Sequence, residues 1–173
     1  MAANKLAIYA GSFDPPTNGH LDLVERAALL FERVIVALGS HPTRSALFSV
    51  AEREALLRAV CARFSNVEVD KFDGLLVDFA RKRGARVMVR GLRAATDFEY
   101  ELQIAHANAD LAPELDTVFL PTRTRHGFIS ASLVREIASH GGDVRRYAPA
   151  EVCKALEKKF PKRAGKKRAG RKK

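Results

Sequence analysis

The feature that most constrains this chain is a repeated alternation of short apolar runs with longer amphipathic segments. Leu6–Ala10 is apolar and stops at Gly11, and Val34–Leu38 is apolar and stops at Gly39. Short apolar runs bounded by glycine suit strands buried inside a sheet. Val67–Phe72, Val87–Val89 and Thr117–Leu120 continue the series. Helical patterns lie between them. The first runs from about His20 to Phe31. The second starts at the capping-box segment Ser49-Val50-Ala51-Glu52 and carries Leu56, Leu57, Val60, Cys61 and Phe64 at helical spacing. Leu75–Arg83, stopped by Gly84, and Asp97–Asp110 are the next two, and Ser130–Ser139 and Pro149–Phe160 complete the set. Strands alternating with helices across short links predict an α/β fold. The expected architecture is a doubly wound, mainly parallel five-stranded sheet with helices on both faces, Rossmann-like.

Composition enters where charge has to be located. The chain of 173 residues, 47% apolar and 29% charged, is that of one globular domain. Its formal net charge of +10 is unevenly placed. Lys158–Lys173 holds ten Lys or Arg and no Asp or Glu, so the remaining twenty basic residues balance all twenty acidic ones. The bulk charge therefore says little about what the folded part binds. One folded domain over 1–160 and a basic tail over 161–173 are expected. The tail's ordinary role is a solvated extension; non-specific, salt-sensitive polyanion binding is the alternative. No aromatic follows Phe160, so stacking on nucleic-acid bases is not expected. Cys61 and Cys153 stand apart, outside any CxxC or Cys/His cluster, and are expected to be buried free thiols. Leu6–Ala10 is too short for a signal-peptide core or a membrane span, so no membrane partner and a cytoplasmic location are expected.

In doubly wound sheets, ligands bind beyond the carboxyl ends of the strands where strand order reverses. That rule selects three loops, Gly11–Gly19, Arg90–Thr96 and Pro121–Phe128. In the first, Gly11 and Gly19 let backbone N–H groups approach an anion, and the helix starting near His20 adds its positive end. Ser12 adds a hydroxyl and His20 an imidazole N–H. The alternative is a loop that only turns and caps the helix. In the second, Arg90 and Arg93 can clamp phosphate across Gly91, or form a solvated basic turn. Asp97-Phe98-Glu99-Tyr100-Glu101 then opens a helix. In the third stretch, Ser130 or Ser132 can cap a helix or, with the same groups, hold phosphates.

Thr17-Asn18-Gly19-His20 resembles the T/HxGH signature of the nucleotidyltransferase superfamily, and Ile129–Arg135 resembles its ISxSxxR signature. YAGSFDPPTNGHLDLVERA, VRGLRAATDFEYELQIAHAN and FISASLVREIASHGGDV together resemble the bacterial phosphopantetheine adenylyltransferase family, from about Lys5 to Phe160. The resemblance implies adenylyl transfer from ATP to 4′-phosphopantetheine, giving dephospho-coenzyme A and pyrophosphate. It also implies Mg²⁺ as cofactor, a homohexamer and feedback by coenzyme A. By position, His20 matches a transition-state stabiliser; Ser12, Arg44, Leu76 and Arg90 match acceptor contacts. Ser12, Phe13, His20, Gly91, Leu92, Arg93 and Glu101 match ATP-binding positions, as do His126, Gly127, Phe128, Ile129, Ser130, Ala131 and Ser132. Departures from the common family pattern are Ser12 for threonine, Arg44 for lysine, His126 for tryptophan and Ala131 for one serine. No metal ligand is assigned to the chain. Transfer of a nucleotidyl group to another phosphorylated acceptor is the alternative activity.

Overall fold

A computed structural model describes residues 6–39 and 45–161. Arg44 and the basic tail from residue 162 onward lie outside the described residues.

Five strands form one parallel sheet: β1 Leu6–Gly11, β2 Arg33–Gly39, β3 Val67–Phe72, β4 Val87–Leu92 and β5 Asp116–Pro121. Their order is β3-β2-β1-β4-β5, so the winding reverses between β1 and β4. Six helices connect or cover them: α1 Asn18–Leu30, α2 Val50–Cys61, α3 Leu76–Arg83, α4 Ala95–Leu111, α5 Ala131–Ser139 and α6 Ala150–Lys159. Alternate residues of the central strands serve two cores. Ala7, Tyr9, Val34, Val36 and Val89 pack with α1, α2, α5 and α6 through Val24, Leu57, Val134 and Leu156. Ile8, Ala10, Ile35 and Met88 pack on the opposite face with Val77, Ala80, Ala112 and Leu115. The period-two alternation of strands thus makes the expected helix–sheet–helix layering.

Of the boundaries that differ from the sequence reading, two matter most for the site. Helix α1 begins at Asn18, with Thr17 as its cap, so His20 is its third residue. Strand β4 runs on through Arg90 and Gly91 to Leu92, pairing with Phe119, Leu120 and Pro121. Parallel pairing with β5 supplies the hydrogen bonds that a charged residue and a glycine would not favour alone. Gly91 is demanded by packing: a Cβ there would lie 2.2 Å from Leu23 Cδ1 of α1.

Helix α4 is the exception to the layering. None of its described side chains is buried, and Phe98, Tyr100 and Leu111 are exposed on it. Cys61 and Cys153 are buried free thiols, as expected. No helix among the described residues is long and apolar enough to cross a membrane.

Candidate active site

A cavity of about 920 Å³ opens at the carboxyl ends of β1 and β4, where the winding reverses. The loop after β1 forms its first wall. Phe13 sits there with φ 45°, a left-handed conformation that costs a non-glycine residue strain. Packing holds it: Phe13 is buried, its ring edge-on to Tyr9 at 5.5 Å and to His20 at 5.1 Å. Gly11 makes the turn possible, since a Cβ on it would lie 3.0 Å from Phe13 Cζ.

Asp14 is buried in the same loop and does the bracing. Its carboxylate accepts the N–H of Leu47 at 2.9 Å and of Phe48 at 2.9 Å. Arg135 of α5 donates to the Asp14 carbonyl and lies 3.5 Å from its carboxylate. The buried Arg53 of α2 donates to the Ser12 carbonyl at 2.8 Å. These contacts tie the loop to α2 and α5, across separations that leave no local trace in the sequence.

His20 is the imidazole of this wall. The Thr17 N–H donates to His20 Nδ1 at 3.0 Å, and the Thr17 hydroxyl accepts the His20 backbone N–H at 3.3 Å. The pair is a capping box in which histidine replaces the usual acidic partner. A backbone N–H can only donate, so Nδ1 bears a lone pair and the neutral ring carries its proton on Nε2. Burial first, and the Arg93 charge second, lower the histidine pKa from 6.5 to about 4. At neutral pH the ring is therefore an uncharged Nε2–H donor, held at the cavity wall beside a helix N-terminus.

The second wall comes from β4 and α4. Arg90 donates from Nε to Glu101 Oε2 at 2.6 Å and from Nη2 to Oε1 at 2.8 Å, a bidentate fork. Its Nη1 donates to the Ala10 carbonyl at 2.8 Å. Three of five guanidinium N–H groups are thus committed within the protein, and two remain. The partner carboxylate holds the Arg90 pKa above its ordinary value despite the opposing effect of burial. Arg93 is paired with Asp97 at 3.0 Å and reaches toward the Ile129 carbonyl at 3.5 Å. Tyr9, on the cavity floor, has its phenol pushed well up by burial.

The third wall is the start of α5. Ser130 is its cap, accepting the Leu133 N–H at 3.1 Å. A 3-10 turn, Thr124–His126, precedes it and brings His126 to the cavity. Two helix N-termini, α1 and α5, therefore face one space, as a polyphosphate site requires. Leu76, with Phe72, Gly74 and Leu75, lines the far end.

Most sequence-chosen residues meet at this cavity: Ser12, Phe13, His20, Leu76, Arg90, Gly91, Arg93 and Glu101 line it, together with His126, Ile129, Ser130, Ala131 and Ser132. Leu92, Gly127 and Phe128 do not. Leu92 closes β4, where its carbonyl accepts the Thr122 N–H at 2.7 Å. Phe128 is exposed and packs edge-on to Tyr147 at 5.8 Å. Sequence reasoning missed Asp14, Arg53 and Arg135. Arg135 had the clearest local signal, as the arginine that closes the ISxSxxR signature.

The parallel sheet with its reversal, the paired helix N-termini and the neutral histidine donor together define a nucleotidyl-transfer type of α/β protein. A family model described as cytidylyltransferase-like matches residues 8–137. A phosphopantetheine adenylyltransferase of Thermosynechococcus vestitus is 54% identical over 155 residues, covering 90% of this chain and 92% of its own. That of Alkaliphilus metalliredigens is 48% identical over 155 residues, covering 90% and 99%. A third, from Anaeromyxobacter sp. strain K, is 51% identical over 157 residues, covering 91% and 96%. A crystal structure from Vibrio parahaemolyticus, described as a nicotinate-nucleotide adenylyltransferase, superposes with TM-score 0.64 at 18% identity, covering 88% of this chain and 90% of its own, a likeness of fold. The chain belongs to the phosphopantetheine adenylyltransferase family of the cytidylyltransferase-like nucleotidyltransferases.

Proposed function

We propose that this enzyme transfers the adenylyl group of ATP to 4′-phosphopantetheine, forming dephospho-coenzyme A and pyrophosphate in coenzyme A synthesis. The observation that carries this reading is the convergence of His20, the α1 and α5 N-termini, Arg90 and Arg93 on one cavity, in a chain about half identical to phosphopantetheine adenylyltransferases.

An oxygen of the acceptor phosphate attacks the α-phosphorus of ATP, and the bond from that phosphorus to the pyrophosphate oxygen breaks. The attacking phosphate is already an anion and needs no base. The obstacle is bringing two polyanions together and stabilising charge on the α-phosphate and the leaving group, so positioning and electrostatics supply the rate. His20 donates Nε2–H to the phosphate that gains charge. Its neutrality suits a donor that keeps its proton throughout. The α1 and α5 N-termini and the hydroxyls of Ser130 and Ser132 hold the triphosphate. Arg90, held by Glu101 and Ala10, offers its two remaining N–H groups to the acceptor phosphate. Arg44, outside the described residues, is assigned to the same phosphate, and Leu76 to the pantetheine arm. Gly91, Leu92 and Arg93 with Glu101, and the run from His126 to Ser132, remain the proposed ATP-side residues; Leu92, Gly127 and Phe128 would act there through backbone position.

Mg²⁺ is proposed as the cofactor. Among the described residues no cluster of three or more His, Cys, Asp or Glu side chains could hold a metal. The cavity carboxylates Asp97 and Glu101 are engaged by Arg93 and Arg90. A Mg²⁺ would therefore be held chiefly by the substrate phosphates, beside His20, Ser130 and Ser132, and would supply charge neutralisation there. A homohexamer, feedback by coenzyme A and a cytoplasmic location complete the proposal. The exposed Phe98, Tyr100 and Leu111 of α4 support assembly through that helix.

Pyrophosphate release with ATP and a panel of phosphorylated acceptors tests the reading. Turnover with 4′-phosphopantetheine is expected. No turnover with it, beside turnover of another acceptor, would refute the acceptor and keep the superfamily chemistry.

A further inference from the structure

Asp22 stands two residues beyond His20 on α1, with a side chain only 2% exposed. Neither carboxylate oxygen has a hydrogen-bond partner. A buried carboxylate without hydrogen bonds is destabilising unless charges compensate it. Three guanidiniums do: Arg123 at 3.1 Å, Arg26 at 3.7 Å and Arg125 at 3.9 Å. Two of these sit on the link between β5 and α5. The third, Arg26, donates to the Pro121 carbonyl at 2.6 Å, at the point where that link leaves the sheet. Arg125 in turn donates from Nε to His126 Nε2 at 3.1 Å.

These contacts have one geometric consequence. The chain between Pro121 and Ser130 is what carries the α5 N-terminus to the cavity, and its Arg123 and Arg125 side chains are 48% and 66% exposed. A single carboxylate on α1 gathers both arginines. The Asp22 charge thereby adds to the apolar packing of Ile129 and Val134, and to the Arg135–Asp14 contact, in holding the two helix N-termini that face the cavity.

We infer that Asp22 is a positioning residue that clamps the Thr122–Ile129 link onto α1 and so sets the α5 end of the cavity for the triphosphate of ATP. The clamp rests on the assignment of that end to ATP in the proposed reaction. Arg123 and Arg125 are its working partners; Arg26 holds the base of the link. Ordering of the link before ATP arrives lowers the cost of binding, as preorganisation does elsewhere.

Calorimetric titration of ATP, without acceptor, tests the clamp apart from the reaction. Asp22→Asn is expected to weaken ATP binding about tenfold, the size of a coupling among neighbouring charged groups. Steady-state assays should show the same rise in KM for ATP, with KM for 4′-phosphopantetheine and kcat within about twofold. Arg123→Gln with Arg125→Gln, on exposed side chains, should reproduce the ATP-selective loss if Asp22→Asn fails to fold. Adding Asp22→Asn to that pair should bring under about twofold further change, because no loop arginine is left to hold. An ATP affinity unchanged in both variants overturns the clamp. So does an equal loss for both substrates, or a full Asp22→Asn effect persisting without the arginines. A wild-type protein that binds ATP but turns over no 4′-phosphopantetheine would refute the reaction and leave the calorimetric test intact.

Discussion

The two helix N-termini that face the cavity are built in different ways. The α1 end is enclosed: Phe13, Asp14 and Thr17 are all buried, and the loop is tied to α2 and α5 through Asp14, Arg53 and Arg135. The α5 end follows a link whose arginines are exposed and meet one carboxylate, that of Asp22, while Ile129 and Val134 pack into the core and Arg135 reaches Asp14. The first arrangement fixes an imidazole to a direction and a tautomer. The second holds the proposed phosphate end partly by charge, which salt, mutation or ligand can shift more easily. A transfer reaction needs its transition-state donor immobile and can accept adjustment where a flexible triphosphate is bound.

The sharpest way to break this contrast is His20→Ala. Loss of one transition-state donor costs about 3 kcal/mol, so kcat should fall ~10²-fold or more while ATP affinity and the thermal midpoint change little. Near-normal kcat would mean that the rigid end carries no chemistry. On stability rather than rate, the corresponding test is Asp14→Ala, which strips two backbone N–H groups of their acceptor and Arg135 of a partner. Breaking such a buried charge network costs about 3–5 kcal/mol, to be read by urea unfolding. A loss under about 1 kcal/mol would put the α1 loop on the same footing as the α5 link.

Smaller effects sharpen the picture. Arg90→Lys keeps the charge and loses the fork on Glu101, so KM for 4′-phosphopantetheine should rise about tenfold with ATP affinity nearly kept. Ser130→Ala removes a helix cap and should cost about 1 kcal/mol of stability together with a roughly threefold loss of ATP affinity. pH gives a gentler test. The folded His20 pKa, about 4, lies below the ordinary 6.5, so the unfolded chain binds a proton first as pH falls. Unfolding free energy should therefore rise with pH from about 4 to 6.5 and level off above, with a shallower rise in His20→Gln.

Much of this site was legible because glycines, prolines and caps mark where a buried strand must hand over to a helix. Gly11–Gly19 declared itself in that way, and the loops after the fourth and fifth strands followed from the alternation, although β4 runs on to Leu92. The partners of those residues were not legible. Arg90 reads as a free phosphate clamp until Glu101, in the second turn of α4, is seen to hold it. Asp14 carries no assigned role in the sequence, because its acceptor role depends on Leu47 and Phe48, more than thirty positions away. Gly91 reads as room for a ligand, whereas Leu23 occupies that room. Contacts between elements follow from how the sheet is wound, and no local period encodes them.

The central claim is that the capping box of α1 holds His20 as a neutral Nε2–H donor. Nitrogen-15 NMR of the His20 imidazole across pH 5–8, with and without ATP, tests it most directly. The account predicts a neutral ring protonated on Nε2 throughout, with ATP shifting the Nε2 resonance and leaving Nδ1 as the acceptor of the Thr17 N–H. A ring that titrates near 6.5, or one protonated on Nδ1, would contradict it.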